Sequence, residues 1–322
     1  PLLFVTFRET YDQARAVGSF LNAEGFYKQP VVVFMKKHPT TLVSFFGTIY
    51  SGNYYVPLDD EMPRHRIDLI LRTLNPAAMI CDEDTQELVK QFAYEGKTYI
   101  YSEICAAPVD ENALAVIRDK QIDTDPIYIV FTSGSTGKPK AVMLSQYNLV
   151  NNLIDSEPLG CYSEDDIALG ALPMEHVFGL VLLAGVCVLG YSIYFPEKTE
   201  ISAILTAIQQ ERITRMNGVP SLYLGMAQLA ERYDLSSLRA GFIGGGPFTR
   251  EQFCFIEEKL DMTLIPVYGM SECIGIACAD WREPREIRAE GSAPFYSMNT
   301  GRILREDGTE AAPGESGEVW VT

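Results

Sequence analysis

The chain has 322 residues, of which 47% are hydrophobic, 11% aromatic and 21% charged. This is the composition of a globular protein with enough apolar material for a sizeable core, and the length predicts two domains or two halves of one large domain. The formal net charge of −17 repels phosphate backbones and anionic membranes, which excludes nucleic acid as an expected partner.

Helix and strand patterns alternate along the first half of the chain. Thr6 and Glu9 form a capping box at the start of a helix, and Gly25 predicts its end. A continuous apolar run at residues 31–35 is typical of a strand that is covered on both faces. The elements predicted after it are a helix over residues 40–51, an extended segment at 53–59, a helix over 63–74, and strands at 77–81 and 127–131.

The strand at 127–131 runs into a loop of glycines and hydroxyl residues that two lysines close. Glycines let backbone N–H groups face an anion, hydroxyls add donors, and Lys140 can neutralise charge on a leaving pyrophosphate. The P-loop of kinases and ATPases does not fit, because Thr132 stands at its first glycine position and Pro139 follows the Gly-Lys pair. An ordinary polar turn is the alternative to a ligand site. The predicted phosphate-binding residues are Thr132, Ser133, Gly134, Ser135, Thr136, Gly137, Lys138 and Lys140.

The second half continues the alternation and then changes character. Val177–Leu189 is the longest apolar run and is too short to span a bilayer, so a tightly packed buried element is predicted there. From residue 291 short alternating segments appear, with Asp307 and Gly308 as a hairpin signal. Between these regions the predicted elements are helices near residues 201–208, 221–233 and 249–260, and strands near 215, 240 and 264–267.

These patterns predict an α/β protein with two parallel-sheet subdomains packed together and the start of a small β-barrel subdomain. The expected domains are residues 1–165 with the phosphate loop, 166–288 with a second ligand site, and 289–322 as the partial β subdomain. Pro1 in place of a starting Met is expected of a piece cut from a longer protein. Seven scattered cysteines without metal-ligand spacing favour reduced thiols in the cytoplasm.

One segment of the second half combines an aromatic residue with a carboxylate after an apolar strand. An aromatic ring at a strand end can stack on a purine, and a lone carboxylate can hold Mg²⁺ against phosphates. A chance turn gives the same short pattern, so its position after the phosphate loop is what makes it informative. The candidate residues are Tyr268, Gly269, Met270, Ser271 and Glu272.

Two weaker signals complete the set. Gly244, Gly245, Gly246 and Pro247 follow a short strand and leave bare backbone for a flat ligand, although a tight turn needs the same glycines. His176 lies at the start of the long apolar run, where a histidine is more often a packing residue than a catalytic group.

Taken in order, these motifs resemble the adenylate-forming superfamily, which comprises acyl-CoA synthetases, peptide-synthetase adenylation domains and luciferases. The loop at 132–140 resembles its phosphate loop, with Ala141 where the family usually has Gly. Gly246 stands where its GGA or GGE segment has Ala or Glu. The resemblance covers nearly the whole chain, and the other matching segments are residues 52–58 (GAxYVPLD), 173–179 (PxxHxxG), 268–272 (YGxTE) and 314–321 (GExGELxV).

The resemblance implies that ATP activates a carboxylic acid to an acyl-adenylate, which is then transferred to the thiol of coenzyme A or of a carrier-protein phosphopantetheine arm. It implies ATP and Mg²⁺ as cofactors, with Tyr268 on the adenine, Ser271 at the α-phosphate and Glu272 at the metal. Lys140, Glu272 and His176 are the implied catalytic residues. Because amino-acid-activating domains carry an Asp near His176, we expect a fatty, aryl or short organic acid without an α-amino group.

Three alternatives stay open from the sequence. One is an amino-acid-activating domain, in which Glu175 could bind the ammonium group. The others are a non-catalytic nucleotide-binding lobe and a transferase or kinase that releases ADP. The resemblance also places a ribose-binding TGD segment and a C-terminal catalytic lysine beyond Thr322, so this piece alone is expected to bind nucleotide weakly and turn over poorly. The acidic run at 59–61 is interpreted as a solvated helix start.

Overall fold

The computed structural model describes residues 4–132, 139–291 and 293–322. Contacts divide the chain into two compact units, neither of which is continuous in sequence. The first unit runs up to Asn148 and includes Pro173–Leu180, and the second consists of Leu149–Leu172 and Val181–Thr322. The domain boundaries expected at residues 165 and 288 stay predictions.

The first unit is built around one six-stranded sheet. Its strands are β1 (Pro30–Phe34), β2 (Tyr54–Pro57), β3 (Ala78–Cys81), β4 (Lys97–Ile100), β5 (Pro126–Thr132) and β6 (Lys140–Ser145). Their order in the sheet is β4-β3-β1-β2-β5-β6. The first five are parallel, and β6 runs antiparallel to β5 at the edge. Repeated strand–helix units predict only parallel neighbours, so the reversed edge strand is a difference from the expected sheet.

Among the residues that the structure describes, six helices belong wholly to the first unit. The Thr6–Glu9 capping box is confirmed, because the Thr6 hydroxyl accepts from the Glu9 N–H at 3.1 Å and the Glu9 carboxylate accepts from the Thr6 N–H at 2.8 Å. Fully buried Val32, Met79 and Ile70 lie in the core on one face of the sheet. The helices are α1 (Phe7–Ala23), α2 (Pro39–Tyr50), α3 (Arg64–Leu74), α4 (Gln86–Val89), α5 (Tyr101–Ile104) and α6 (Glu111–Lys120).

Two helices contain the points at which the chain passes from one unit to the other. These are α7 (Gln146–Ser156) and α8 (Val177–Leu189). The long apolar run is therefore a helix, and its 13 residues make it shorter than a membrane span. Within the described ranges, no helix combines the length and apolar character needed to cross a bilayer.

The second unit contains another six-stranded sheet and a small separate one. The strands of the large sheet are β7 (Ile167–Leu169), β8 (Ser192–Tyr194), β9 (Arg215–Met216), β10 (Ala240–Ile243), β11 (Thr263–Met270) and β12 (Ile274–Cys278). They are ordered β12-β11-β10-β9-β7-β8, and only β12 is antiparallel to its neighbour. The small sheet pairs β13 (Gly301–Leu304) with β14 (Glu318–Val321) in antiparallel fashion.

The helices of the second unit follow the predicted alternation. They are α9 (Ile201–Glu211), α10 (Pro220–Leu229) with a short 3-10 turn at Ala230–Arg232, α11 (Arg250–Leu260) and α12 (Arg285–Arg288). Ile208, Tyr223 and Phe253 from three of these helices are fully buried in one core. The predicted fold class is confirmed, since the chain has two sheets dominated by parallel strands and a small antiparallel sheet near its end.

Candidate active site

Strands β5 and β6 frame the predicted phosphate loop in the first unit. Thr132 and Lys140 face each other in the last pair of this antiparallel ladder, so one residue pair fixes both ends of the loop. Lys140 lies on a strand rather than in the loop, and it is exposed. The predicted phosphate contacts between these ends lie outside the described residues, namely Ser133, Gly134, Ser135, Thr136, Gly137 and Lys138.

His176 lies in the Pro173–Leu180 segment of the same unit and is exposed. Its carbonyl accepts a hydrogen bond from the Leu180 N–H at 3.0 Å at the start of α8. The hydroxyl of fully buried Tyr128 donates to the carbonyl oxygen of Glu175 at 3.3 Å. This hydrogen bond attaches the segment to β5 at the residue directly before His176. The exposed histidine therefore follows a backbone position that is held against the sheet.

The side chain of Glu175 is turned toward other ionisable groups of the first unit. Burial raises the pKa of Glu175 to about 7, and the neighbouring Asp59 carboxyl adds to this rise while Lys37 opposes it. Burial also lowers the pKa of Lys37. Of the run at 59–61 that is interpreted as a solvated helix start, Glu61 is exposed and Asp59 is half-buried beside the Glu175 carboxyl, so the interpretation stays a prediction. The half-buried Glu175 carboxyl therefore has a second carboxyl group as a neighbour within the unit.

In the second unit, the predicted glycine loop directly follows β10. Gly244 is buried, and a Cβ built there would lie 2.7 Å from the Val267 carbonyl oxygen of the neighbouring strand. Gly245 has φ +73°, a conformation that glycine adopts without strain. At Gly246 the nearest atom to a built Cβ is 3.5 Å away, so the alanine found in the family would fit. Gly245, Gly246 and Pro247 are exposed, as a ligand-facing backbone requires.

The predicted adenine and metal residues lie on and beyond the end of β11. Tyr268, Gly269 and Met270 belong to the strand rather than to a turn, since the ladder with β12 continues past a bulge between Tyr268 and Gly269. Ser271, Glu272 and Cys273 then form the hairpin turn. Tyr268 is 46% exposed, and Glu272 is exposed at the tip.

The hairpin is held by close backbone contacts. A Cβ at Gly269 would lie 2.0 Å from the Ile274 carbonyl oxygen, so no side chain fits there. Ile274 itself has φ +62°, which is strained for a β-branched residue. Such strain persists only where the surroundings enforce it, and here it fixes the direction in which the turn leaves the sheet.

The two segments of the second unit lie at one edge of its sheet. β10 and β11 are parallel neighbours, with Ile243 opposite Pro266, so the loop at 244–247 follows the carboxyl end of β10, and the segment at 268–272 forms the carboxyl end of β11 and the turn after it. Open α/β sheets bind ligands at this edge. An exposed tyrosine beside bare glycine backbone suits a flat heterocycle, and an exposed carboxylate suits a cation held partly by the ligand.

The predicted metal ligand is a single carboxylate, that of Glu272. Among the residues that the structure describes, no group of three or more His, Cys, Asp or Glu side chains could enclose a metal ion. Mg²⁺ is commonly held by one or two carboxylates together with substrate phosphates and waters. Glu272 fits that arrangement as a single protein ligand.

Buried charged residues in this unit were not identified from the sequence, and Arg215 is the most deeply buried of those that the structure describes. Arg215 of β9 is fully buried, lies 3.8 Å from the Tyr162 ring centroid and donates to Asp166 at 3.2 Å. Burial alone would raise the pKa of Asp166, but hydrogen bonds from Thr214 and Arg239 and the charge of Arg215 lower it overall. The only sequence signal was a charged residue inside a short strand segment, which is also common at surfaces.

Comparison with known protein families gives one match over almost the whole chain. The family model described as AMP-binding enzyme matches residues 4–322. The match includes both predicted nucleotide segments and extends through β14.

Individual relatives are named as acyl-CoA ligases and CoA synthases. The chain is 33% identical to an acyl-CoA ligase, sidI, of Aspergillus fumigatus over 82% of its length, and 28% identical to a feruloyl-CoA synthase of an Amycolatopsis species over 99%. It spans 46% and 65% of those two proteins, about half to two thirds of their length. The ATP-bound crystal structure of MatB from Rhodopseudomonas palustris has the same fold, with a TM-score of 0.84 at 22% identity, over 99% of this chain and 65% of that one.

Proposed function

The chain belongs to the AMP-binding enzyme family, and we propose that its full-length protein activates a carboxylic acid with ATP and passes the acyl group to a thiol. The observation that carries this proposal is the edge of the second sheet. There, the bare backbone of Gly244–Gly246 follows β10, the exposed Tyr268 lies in the last part of the parallel neighbour β11, and the exposed Glu272 lies in the turn after β11. Acyl-CoA ligases among the relatives support the same reaction class.

We assign the residues as follows. Tyr268 stacks on the adenine beside Gly244, Gly245, Gly246 and Pro247, while Gly269 and Met270 shape the turn and Ser271 contacts the α-phosphate. Thr132 and residues 133–138 bind the β- and γ-phosphates. Lys140, fixed opposite Thr132 on β6, stabilises the negative charge of the departing pyrophosphate.

The reaction has two steps. A carboxylate oxygen of the acid attacks the α-phosphorus of ATP, a new O–P bond forms, and the bond to pyrophosphate breaks. The thiol then loses its proton to solvent, its sulfur attacks the acyl carbon to form a C–S bond, and AMP leaves with the electrons of the broken C–O bond. Mg²⁺ supplies charge neutralisation at the phosphates, and Glu272 is the residue that would hold it. No side chain forms a covalent intermediate in this scheme, so catalysis rests on positioning and charge.

The acid is expected to lack an α-amino group. His176 is exposed, and an imidazole is a better partner for a carboxylate than for an ammonium group, while the half-buried Glu175 carboxyl has Asp59 and Lys37 as neighbours. The thiol is that of coenzyme A or of a carrier-protein phosphopantetheine arm, and offering each to the acyl-adenylate separates these two acceptors. The seven free cysteines fit a cytoplasmic location.

Product analysis of the full-length protein tests the proposal. Incubated with ATP, Mg²⁺ and a panel of carboxylic acids, it is expected to release AMP and pyrophosphate. Release of ADP would favour the transferase or kinase alternative, a preference for α-amino acids would favour the peptide-synthetase alternative, and no turnover would favour a binding lobe.

Matched variants separate the site from the rest of the surface. Lys140→Met and Glu272→Gln are expected to lower the rate of adenylation by at least about 100-fold, because each removes charge stabilisation from the reacting phosphates. Lys90→Met is the control, since Lys90 is an exposed lysine directly after the short helix α4 and pairs with Glu87 of that helix. Equal effects of Lys140→Met and Lys90→Met would contradict the role assigned to Lys140.

A further inference from the structure

Asn217 is a fully buried residue whose side chain has no hydrogen-bond partner among the described residues. Neither its Nδ2 nor its Oδ1 atom makes a hydrogen bond within the described part of the chain, although both atoms are inaccessible to solvent. It directly follows β9. Its chain neighbour Gly218 donates to the Phe242 carbonyl at 3.0 Å and accepts from the Gly244 N–H at 3.3 Å. Asn217 therefore lies at the carboxyl edge of the second sheet, beside the glycine loop that we assign to the adenine.

Another buried asparagine of this protein, Asn53, has hydrogen-bond partners for both polar atoms of its side chain. Asn53 is also buried, but its Nδ2 donates to the Phe26 carbonyl at 3.1 Å and to the Ser51 hydroxyl at 2.7 Å, while its Oδ1 accepts from the Gln29 N–H at 3.0 Å. A buried amide without partners is unfavourable and rare in native proteins. The bare amide of Asn217 thus indicates a partner that is not part of the described chain.

The chemistry of the amide restricts that partner. An amide offers one acceptor and two donor hydrogens, so a hydroxyl group satisfies both its atoms, whereas a carboxylate can only accept and an ammonium can only donate. Arg215 lies two residues earlier, on the same side of an extended segment, and its charge is already compensated by Asp166. A neutral polar group therefore fits better than a further ion.

We propose that Asn217 is a specificity-determining residue that binds a hydroxyl group of the acid substrate. This inference rests on the proposed function and narrows its substrate class to hydroxylated carboxylic acids. A site that hydrogen-bonds a substrate hydroxyl rejects the analogue without it strongly, because the buried protein group is then left unpaired. A single amide at the carboxyl edge of the sheet is enough to produce such a preference.

The test uses the full-length protein and pyrophosphate exchange with matched acids. The pairs are cinnamate with 4-hydroxycinnamate, butyrate with 3-hydroxybutyrate, and dodecanoate with 12-hydroxydodecanoate. The wild-type protein is expected to favour the hydroxylated member of at least one pair by tenfold or more in kcat/KM. No such preference in any pair would overturn the inference and leave the proposed function standing, whereas no exchange with any acid would remove both.

Two variants of Asn217 whose new side chains are isosteric with each other distinguish substrate binding from a purely structural role. Asn217→Thr keeps a hydroxyl that can donate and accept, and Asn217→Val replaces that hydroxyl with a methyl group. We expect Asn217→Val to reduce the preference ratio at least tenfold and Asn217→Thr to retain more of it. If Asn217 only holds a buried water, both variants change kcat/KM for the two acids of a pair by the same factor, and that result would overturn the inference.

Discussion

The three glycines after β10 give a graded test of the loop assigned to the adenine. A Cβ at Gly244 would lie 2.7 Å from the Val267 carbonyl oxygen, which cannot move without separating β10 from β11. Overpacking of this kind costs about 1–3 kcal/mol. At Gly245, where φ is +73°, alanine is expected to cost about 1–2 kcal/mol. At Gly246, with its nearest neighbour atom 3.5 Å away, the expected cost is below about 0.5 kcal/mol.

The cost can be observed in two quantities. If the loop keeps its backbone, the strain lowers the free energy of unfolding, which urea titration followed by tryptophan fluorescence measures. If the loop shifts instead, ATP binds more weakly, and about 1–3 kcal/mol corresponds to roughly 5- to 150-fold in Kd by calorimetry. The summed loss should be largest for Gly244→Ala and smallest for Gly246→Ala. Similar losses at Gly244 and Gly246 would refute the reasoning that backbone spacing controls this loop.

Three further predictions concern other groups in the two units. Asp166→Asn leaves buried Arg215 without its carboxylate and is expected to lower the free energy of unfolding by about 3–5 kcal/mol. Arg239→Met removes a 45% exposed partner of the same carboxylate and should lower it by less than about 1 kcal/mol. Equal shifts of the two variants in urea unfolding would contradict this difference. Because burial raises the pKa of Glu175 to about 7, the stability that its proton confers is complete below about pH 4.5 and is lost as the pH rises through 7. Glu175→Gln should flatten that part of the curve of unfolding free energy against pH. An unchanged slope would show that another group titrates there. Tyr268→Ala should weaken ATP binding by about 0.5–1.5 kcal/mol and Tyr268→Phe by much less, because phenylalanine keeps the ring. Fluorescence titration with ATP measures both effects. Equal effects would assign the contact with ATP to the tyrosine hydroxyl rather than to the ring.

The sequence by itself determined the elements, their order and the segments that carry the candidate site. Capping, apolar periodicity and glycine positions are local properties, so the Thr6–Glu9 box and the strand before the phosphate loop could be predicted from a few neighbouring residues. The same local signals placed Gly244 and Glu272 after strands. They could not show that β6 and β12 run antiparallel at the sheet edges, because the direction of an edge strand depends on its pairing and not on its own residues.

Only the tertiary structure decided which polar residues are buried and with what partners. Asp59 reads as a solvated residue in sequence, and its contact with Glu175 comes from a distant part of the chain. Arg215 and Asn217 are both polar in the sequence, yet folding pairs the Arg215 guanidinium with Asp166 and leaves only its Nε without a partner, whereas both polar atoms of the Asn217 side chain lack a partner among the described residues. The physical reason is that the free energy of a buried polar group depends on its neighbours in space, which the order of residues along the chain does not reveal.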